Sequence, residues 1–347
     1  MKAFAIRPFA ERPRPVRLRD SLGAQEIQRC FGPCVADLAG QSMSLGSMLT
    51  HLLDAPRVGR LLAANIAYEE GPHGALFLLA ETVFAVAGAN TVFELDRHLT
   101  TQLLATDFCR DDPIPARFCR LPVDVPMFVH LPSPPDALHV ACSSDALPLS
   151  GYYLREVQTD SRRILEVIAV SRPPEGDHTC DADNFLFVDI VIEDEDEPLL
   201  ALFERADQRA RAAAGQPDRP DLRSPVLPHL SFVAKLLVYL GMREVRQSLH
   251  QDRTNALAVA NRLGPRKKDS AIRRAERIYD YVRITAPPPS RPDTQPSASG
   301  TPPSVHHRRG HFRLAHVGDG RIDRRLVWIR PTLVRGMSAE LRAFRVS

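Results

Sequence analysis

The sequence predicts an α+β protein on three observations: helical spacing of apolar residues through its first third, a cluster of short β-rich runs from residue 121, and helical spacing again from residue 198. The expected order is an N-terminal helical region (1–120), then an α+β core (121–285) whose antiparallel sheet is packed with helices. A Pro-rich linker (286–304) and a basic Arg/His tail (305–347) that forms a β-hairpin complete it. A chain of 347 residues buries enough surface to need no disulfide or metal staple.

Within the first region, Leu45, Met48, Leu49 and Leu52, then Leu61, Leu62 and Ile66, then Leu76, Leu79, Val83 and Val86 recur at helical spacing. Gly71, Pro72, Gly74 and the stretch 88–90 punctuate them, which predicts four or five helices between residues 22 and 110. The core opens with β-rich runs at 127–131, 151–157, 164–170 and 185–192, bounded by Pro, Gly, Asp and Ser. The pieces between them are too short for crossover helices, so an antiparallel meander is expected. Helical patterns follow at 198–213 and 230–240, the second apolar on most sides and hence buried on the sheet, with Gly241 as its stop. Two more cover 256–263 and 271–281, and Tyr281-Val-Arg-Ile-Thr285 closes the core as a strand.

The linker holds seven prolines and no large apolar group, so nothing in it offsets the entropy of ordering. In the tail, two strands flank Gly318-Asp319-Gly320. An isolated two-stranded hairpin is marginal in water, so this one is expected to dock on the body or on a partner.

Charge is uneven. Residues 305–347 carry ten arginines against Asp319, Asp323 and Glu340, a net of +7, and leave 1–304 at −4. Residues 243–283 add eleven basic against five acidic side chains, including Arg266, Lys267 and Lys268, while acid concentrates in Glu193-Asp-Glu-Asp-Glu197. That acidic run reads as a solvated loop whose charges favour the start of the next helix. The first twenty residues lack the unbroken apolar stretch of a signal peptide, and the apolar segment 75–89 is broken by Glu81, which makes it a core helix and not a membrane span. With six scattered cysteines (Cys30, Cys34, Cys109, Cys119, Cys142, Cys180), the expectation is a cytoplasmic protein with reduced thiols and no membrane partner.

No phosphate loop, nucleophile elbow or zinc-protease motif is present, so no cofactor or metal is expected. Asp177, His178, Cys180, Asp181 and Asp183 mix ligand types without a recognised spacing and read as a polar loop. The tail is the candidate site for nucleic-acid or partner binding. Arg308, Arg309, Arg313, Arg324, Arg325 and Arg330 are suited to phosphate, and Phe312 and Trp328 offer stacking faces to unpaired bases. The alternative is a hairpin whose aromatics pin it to the body. A metal-independent ribonuclease is the catalytic alternative, with His311 exchanging protons beside Arg309 or Arg313, although His311 and Arg313 share a strand face from which Phe312 points away.

His306-His-Arg-Arg-Gly-His-Phe-Arg313 and Arg324-Arg-Leu-Val-Trp-Ile-Arg-Pro-Thr-Leu-Val-Arg-Gly336, with the central strand Leu121–Pro132 and Lys235-Leu-Leu-Val-Tyr-Leu240, resemble a phage- and plasmid-encoded family related to the type V-A anti-CRISPR proteins. That family lowers expression of the CRISPR effector nuclease. The resemblance implies recognition of a nascent N-terminal peptide followed by loss of its messenger RNA, so the implied partners are a protein target, RNA or a ribosome-associated nascent protein. It points to Arg308, Arg309, His311, Arg313, Trp328, Ile329 and Pro331 without assigning their roles. The leading expectation is therefore a mobile-element regulator of a protein or ribonucleoprotein target. A non-enzymatic accessory protein is the third reading.

Overall fold

The computed structural model describes residues 13–18, 43–48, 80–81, 83–84, 92–133, 135–142, 145–159, 161–172, 185–213, 224, 226–242, 245–276, 278–286, 306–321 and 323–334. Most of the helical spacing expected before residue 90 lies outside them, as do Cys30, Cys34, the loop 177–183 and all but the first residue of the linker.

The expected meander is present. Strands β3 (Met127–His130), β5 (Asp145–Gln158), β6 (Arg163–Ser171) and β7 (Phe185–Ile192) pair antiparallel in sequence order, with β4 (His139–Cys142) on the first turn of β5. A register shift between Leu149 and Gly151 lets the long β5 serve both partners.

The α+β class holds, and the sheet as a whole is mixed where an antiparallel one was expected. Strand β1 (Val92–Leu95) runs parallel to β3 on one side and to β9 (Tyr281–Thr285) on the other, and β8 (Arg246–His250) closes the far edge. Two segments expected to be helical are thus strands, β1 and β2 (Thr106–Phe108), on either side of α2 (Arg97–Leu104). The reason is local: a four-residue run with Glu94 inside it, ended by the Asp96 cap of α2, is too short to display a period. Through β1 the main sheet begins before residue 121.

Helices α3 (Leu199–Ala213) and α4 (Leu227–Leu240) cover one face of the sheet, where Tyr152, Leu154, Leu165, Val167, Val188 and Ile190 join their apolar sides in the core. Helix α4 is buried nearly all round. His229 is fixed there as a neutral ring: Nε2 donates to the His139 carbonyl at 3.0 Å, which leaves Nδ1 to accept from the Tyr152 hydroxyl at 2.9 Å. The opposite face is met by residues 43–48 and by the helix α1 (Arg14–Leu18), whose Arg14 forms a buried two-pronged pair with Glu81, both contacts 2.9 Å. On that face Arg155 pairs with the buried Glu166 at 3.0 Å, and Glu166 also accepts the Leu45 amide.

Two helices, α5 (Asp252–Asn261) and α6 (Pro265–Glu276), form a hairpin in the connection from the edge strand β8 to its neighbour β9. In the tail, β11 (Gly310–Val317) and β12 (Asp323–Ile329) form the expected hairpin, with left-handed Gly318 (φ 82°) and Gly320 (φ 66°) in the turn. Short strands β10 (His306–Arg308) and β13 (Thr332–Val334) pair outside it. No helix among the described residues is long and apolar enough to cross a membrane.

Candidate functional site: an arginine-rimmed cleft

The tail hairpin docks on the body. Strand β11 extends β2 in parallel, the Gly310 amide reaches the Ala105 carbonyl at 3.0 Å, and the Leu314 amide reaches Asp112 at 2.8 Å. Cross-strand partners share a face, so Phe312, Leu314, Leu326 and Trp328 all turn to the body. Phe312 is fully buried, stacked against Phe108 at 5.8 Å and Trp328 at 5.9 Å between ring centres. Trp328 meets Tyr239 of α4 edge-on at 5.2 Å and donates its indole N–H to Thr106 at 3.0 Å.

Phe312, fully buried, presents no face for base stacking, and Trp328 is half-buried. Both aromatics are docking anchors, because each finds more apolar contact and, for Trp328, a hydrogen-bond acceptor on the body than an exposed strand could offer. A close approach at Gly310 makes the fit possible: a Cβ there would come within 2.6 Å of both Pro331 and Thr106.

The remaining candidates divide between the two faces. His311, Arg313 and Arg325 share the outer face with Val327 and Ile329, while Arg324 lies on the body-facing side beyond Leu326. Arg308 and Arg309 are exposed, Arg330 and Pro331 half-buried. Arg309 reaches Asp107 at 2.9 Å, and Asp107 is also the register partner of His311. Nearby, burial pulls the Lys235 ammonium below its usual lysine range, with Asp107 opposing the shift and Arg309 adding to it. His316 faces away from His311, so the described side chains bring no second histidine to it for acid–base exchange. Among the described residues no three His, Cys, Asp or Glu side chains converge as a metal site would require.

Arg324 and Arg325 meet two arginines that sequence reasoning missed. Together with Arg117 and Arg120 they rim a cleft of about 410 Å³ between the tail hairpin, the turn at 116–122 and the end of α4. Its floor is apolar: Phe118, Leu121, Val238, Met242 and Leu326. The turn owes its shape to Arg163, 1% exposed, which donates to the Ala116 carbonyl at 2.9 Å and the Cys119 carbonyl at 2.8 Å. The same guanidinium clasps Glu195 at 2.9 and 2.8 Å and thereby holds that carboxyl below the usual carboxylate range.

The acidic run 193–197 is a loop with Glu193, Asp194 and Asp196 exposed, and three of its carboxylates are also ion-paired. Glu195 also takes Arg120 at 2.8 Å, Asp196 pairs with Arg117, and Glu197 pairs with Arg205 at 2.7 Å. Its backbone carbonyls at 195 and 197 accept the amides of Arg117 and Ala116, both at 2.9 Å. Four arginines line the cleft, and the carboxylates Glu156, Glu195 and Asp196 that pair with Arg117 and Arg120 lie outside the lining. Cys119 behind it is buried, and burial pushes its thiol up to about 12, which makes it unreactive. Among the described residues the lining holds no nucleophile, carboxylate or imidazole. The arrangement is suited to binding an anionic segment with apolar groups.

Comparison with known proteins places this cleft and the docked tail in one matched region. The family model AcrVA2-like, the anti-CRISPR type V subtype A2 family, matches residues 93–336. A solved structure titled "Crystal structure of AcrVA2" is similar at 13% identity with a TM-score of 0.43, covering 90% of this chain and 97% of that one. No curated protein matches. With strands β2 to β13, the cleft and the docked hairpin all inside one family match, the chain belongs to the AcrVA2-like family of type V subtype A2 anti-CRISPR proteins.

Proposed function

We propose that the chain is a mobile-element regulator that captures a protein target in the arginine-rimmed cleft and lowers expression of a CRISPR effector nuclease through loss of its message. The observation that carries this reading is the chemistry of the cleft: four arginines over an apolar floor. Such a surface suits a peptide in which apolar residues alternate with carboxylates, since the floor takes the apolar groups and the guanidiniums take the carboxylates in bidentate fashion. A nascent N-terminal segment of the effector is a peptide of this accessible kind. Family membership supports the choice of target.

The test is co-expression with a type V-A effector whose protein and message are both quantified. The wild-type chain is expected to lower both. Arg324→Glu with Arg325→Glu is expected to abolish the effect and to lose co-purification of the effector's N-terminal peptide. Unchanged capture by the double variant would remove the cleft from the mechanism.

A further inference from the structure

The basic stretch around α5 and α6 takes no part in the cleft. Residues 252–276 carry seven cations against three acids, a net of +4. Along α6 the cations are sorted: Arg266 and Arg273 lie seven residues apart, as do Lys267 and Arg274, so the four fill one continuous arc of the helix and all are exposed. Ala271, Ile272 and Ala275 occupy the opposite arc and pack inward. Among the described residues none of the four cations forms an ion pair, whereas Arg120, Arg155, Arg163, Arg205, Arg283 and Arg309 are each matched to a carboxylate.

The unit is held rigidly. Asp280, beyond the end of α6, accepts the amides of Arg253 at 2.9 Å and Thr254 at 3.1 Å and the Thr254 hydroxyl at 2.6 Å, which staples the two ends of the helical hairpin together. The small buried Ala260 and Ala275 allow the helices to approach closely. Local rules are broken in one respect: the first turn of α6 holds Arg266, Lys267 and Lys268 and no acid, against the helix dipole. Arg273 and Arg274, in the last turn, sit where the dipole favours cations, so Arg266 and Lys267 are the two held against it. An exposed cationic arc on a stapled hairpin, two of its members in an unfavourable position, marks a surface completed by an external polyanion.

We infer that α5–α6 is an RNA-docking arm whose Arg266, Lys267, Arg273 and Arg274 contact the phosphates of an RNA duplex. Residues 252–276 contain no aromatic side chain and so offer no stacking platform for unpaired bases, which favours a duplex over a single strand. The cationic arc rises by about 10 Å, enough for several phosphates of one strand. The preference for RNA over DNA rests on the proposed action at a message; the phosphate contact itself does not.

The test is fluorescence anisotropy of the full chain with an RNA duplex of about 20 base pairs, read across a salt series. Binding is expected, with a log–log salt slope of about 0.9 per phosphate contact. Replacing all four arc residues by alanine is expected to weaken binding at least 10-fold and to flatten the slope, with an unchanged circular dichroism spectrum. Arg308→Ala with Arg313→Ala, in the tail, is expected to leave affinity within 3-fold. The inference is overturned if the wild-type chain does not bind the duplex, if the arc variant binds as tightly as wild type, or if the tail variant is the one that fails. Preference for a DNA duplex of the same sequence, or for an acidic polypeptide competitor, overturns it as well. Loss of effector repression in the cleft variant with RNA binding intact supports both assignments, whereas repression that survives every cleft substitution sinks the proposed function and leaves the arm to be judged on anisotropy alone.

Discussion

Phe312 carries two readings that the sequence holds equally open, a platform for bases and a pin for the hairpin, and its burial between Phe108 and Trp328 decides for the pin. Phe312→Ala is expected to cost about 3–5 kcal/mol in denaturant unfolding, as aromatic-to-alanine changes in cores do, while Arg313→Ala on the outer face should stay within about 0.5 kcal/mol. On the other side of the sheet, Glu166 and Asp189 are cross-strand neighbours. Burial pushes Glu166 up to about 7 and Asp189 up to about 6, against the pull of Arg155 on both. Carboxyls raised in the folded state contribute stability that is fully present below their unfolded values and is lost as pH rises through the folded ones. The sign for His229 is opposite: burial lowers its pKa, so its share is lost as pH falls below 6.5. Asp189→Asn removes one carboxylate without touching His229. Melting temperatures from pH 4 to 8 are expected to fall less steeply toward neutrality in that variant than in wild type, and parallel curves would count against the shared-charge account.

At the scale of elements, periodicity located what had length. Strands β5 to β7 and both core helices were readable because runs of eight or more residues display their period, and the final strand was readable from its β-branched and aromatic composition. Strands β1, β2 and β8 were not, since three to five residues with a charged or polar group inside them match several templates at once. The partners of the acidic run were not readable for a different reason: nothing local in Glu193–Glu197 announces that Arg117, Arg120 and Arg163, 30 to 80 residues earlier, fold against it. The tail hairpin supplies an element-level prediction. Gly310→Ala places a methyl within 2.6 Å of Thr106 and Pro331, so β11 must separate from β2. Faster proteolysis within 306–334 is expected, with protection of 127–171 unchanged.

For the whole molecule, the docked tail changes what a truncation means. Removing residues 306–347 uncovers Phe108, Phe203 and Tyr239 beneath Phe312 and Trp328, so the shortened chain is expected to bind a hydrophobic dye and to melt at lower temperature. Loss of partner binding by such a truncation would therefore report on folding as well as on contact. Charge substitutions at Arg324 and Arg325, which are exposed, separate the two.

From sequence alone come the α+β class, the meander, the hairpin at Gly318-Asp319-Gly320 and the concentration of charge, because each is written in neighbouring residues. The parallel strands of the mixed sheet, the partners of the buried arginines and the cleft itself were decided only by tertiary structure. Arg117, Arg120, Arg324 and Arg325 become one site because Phe312 and Trp328 bury themselves on the body, and burial of that kind joins residues 200 positions apart without leaving a local pattern to read.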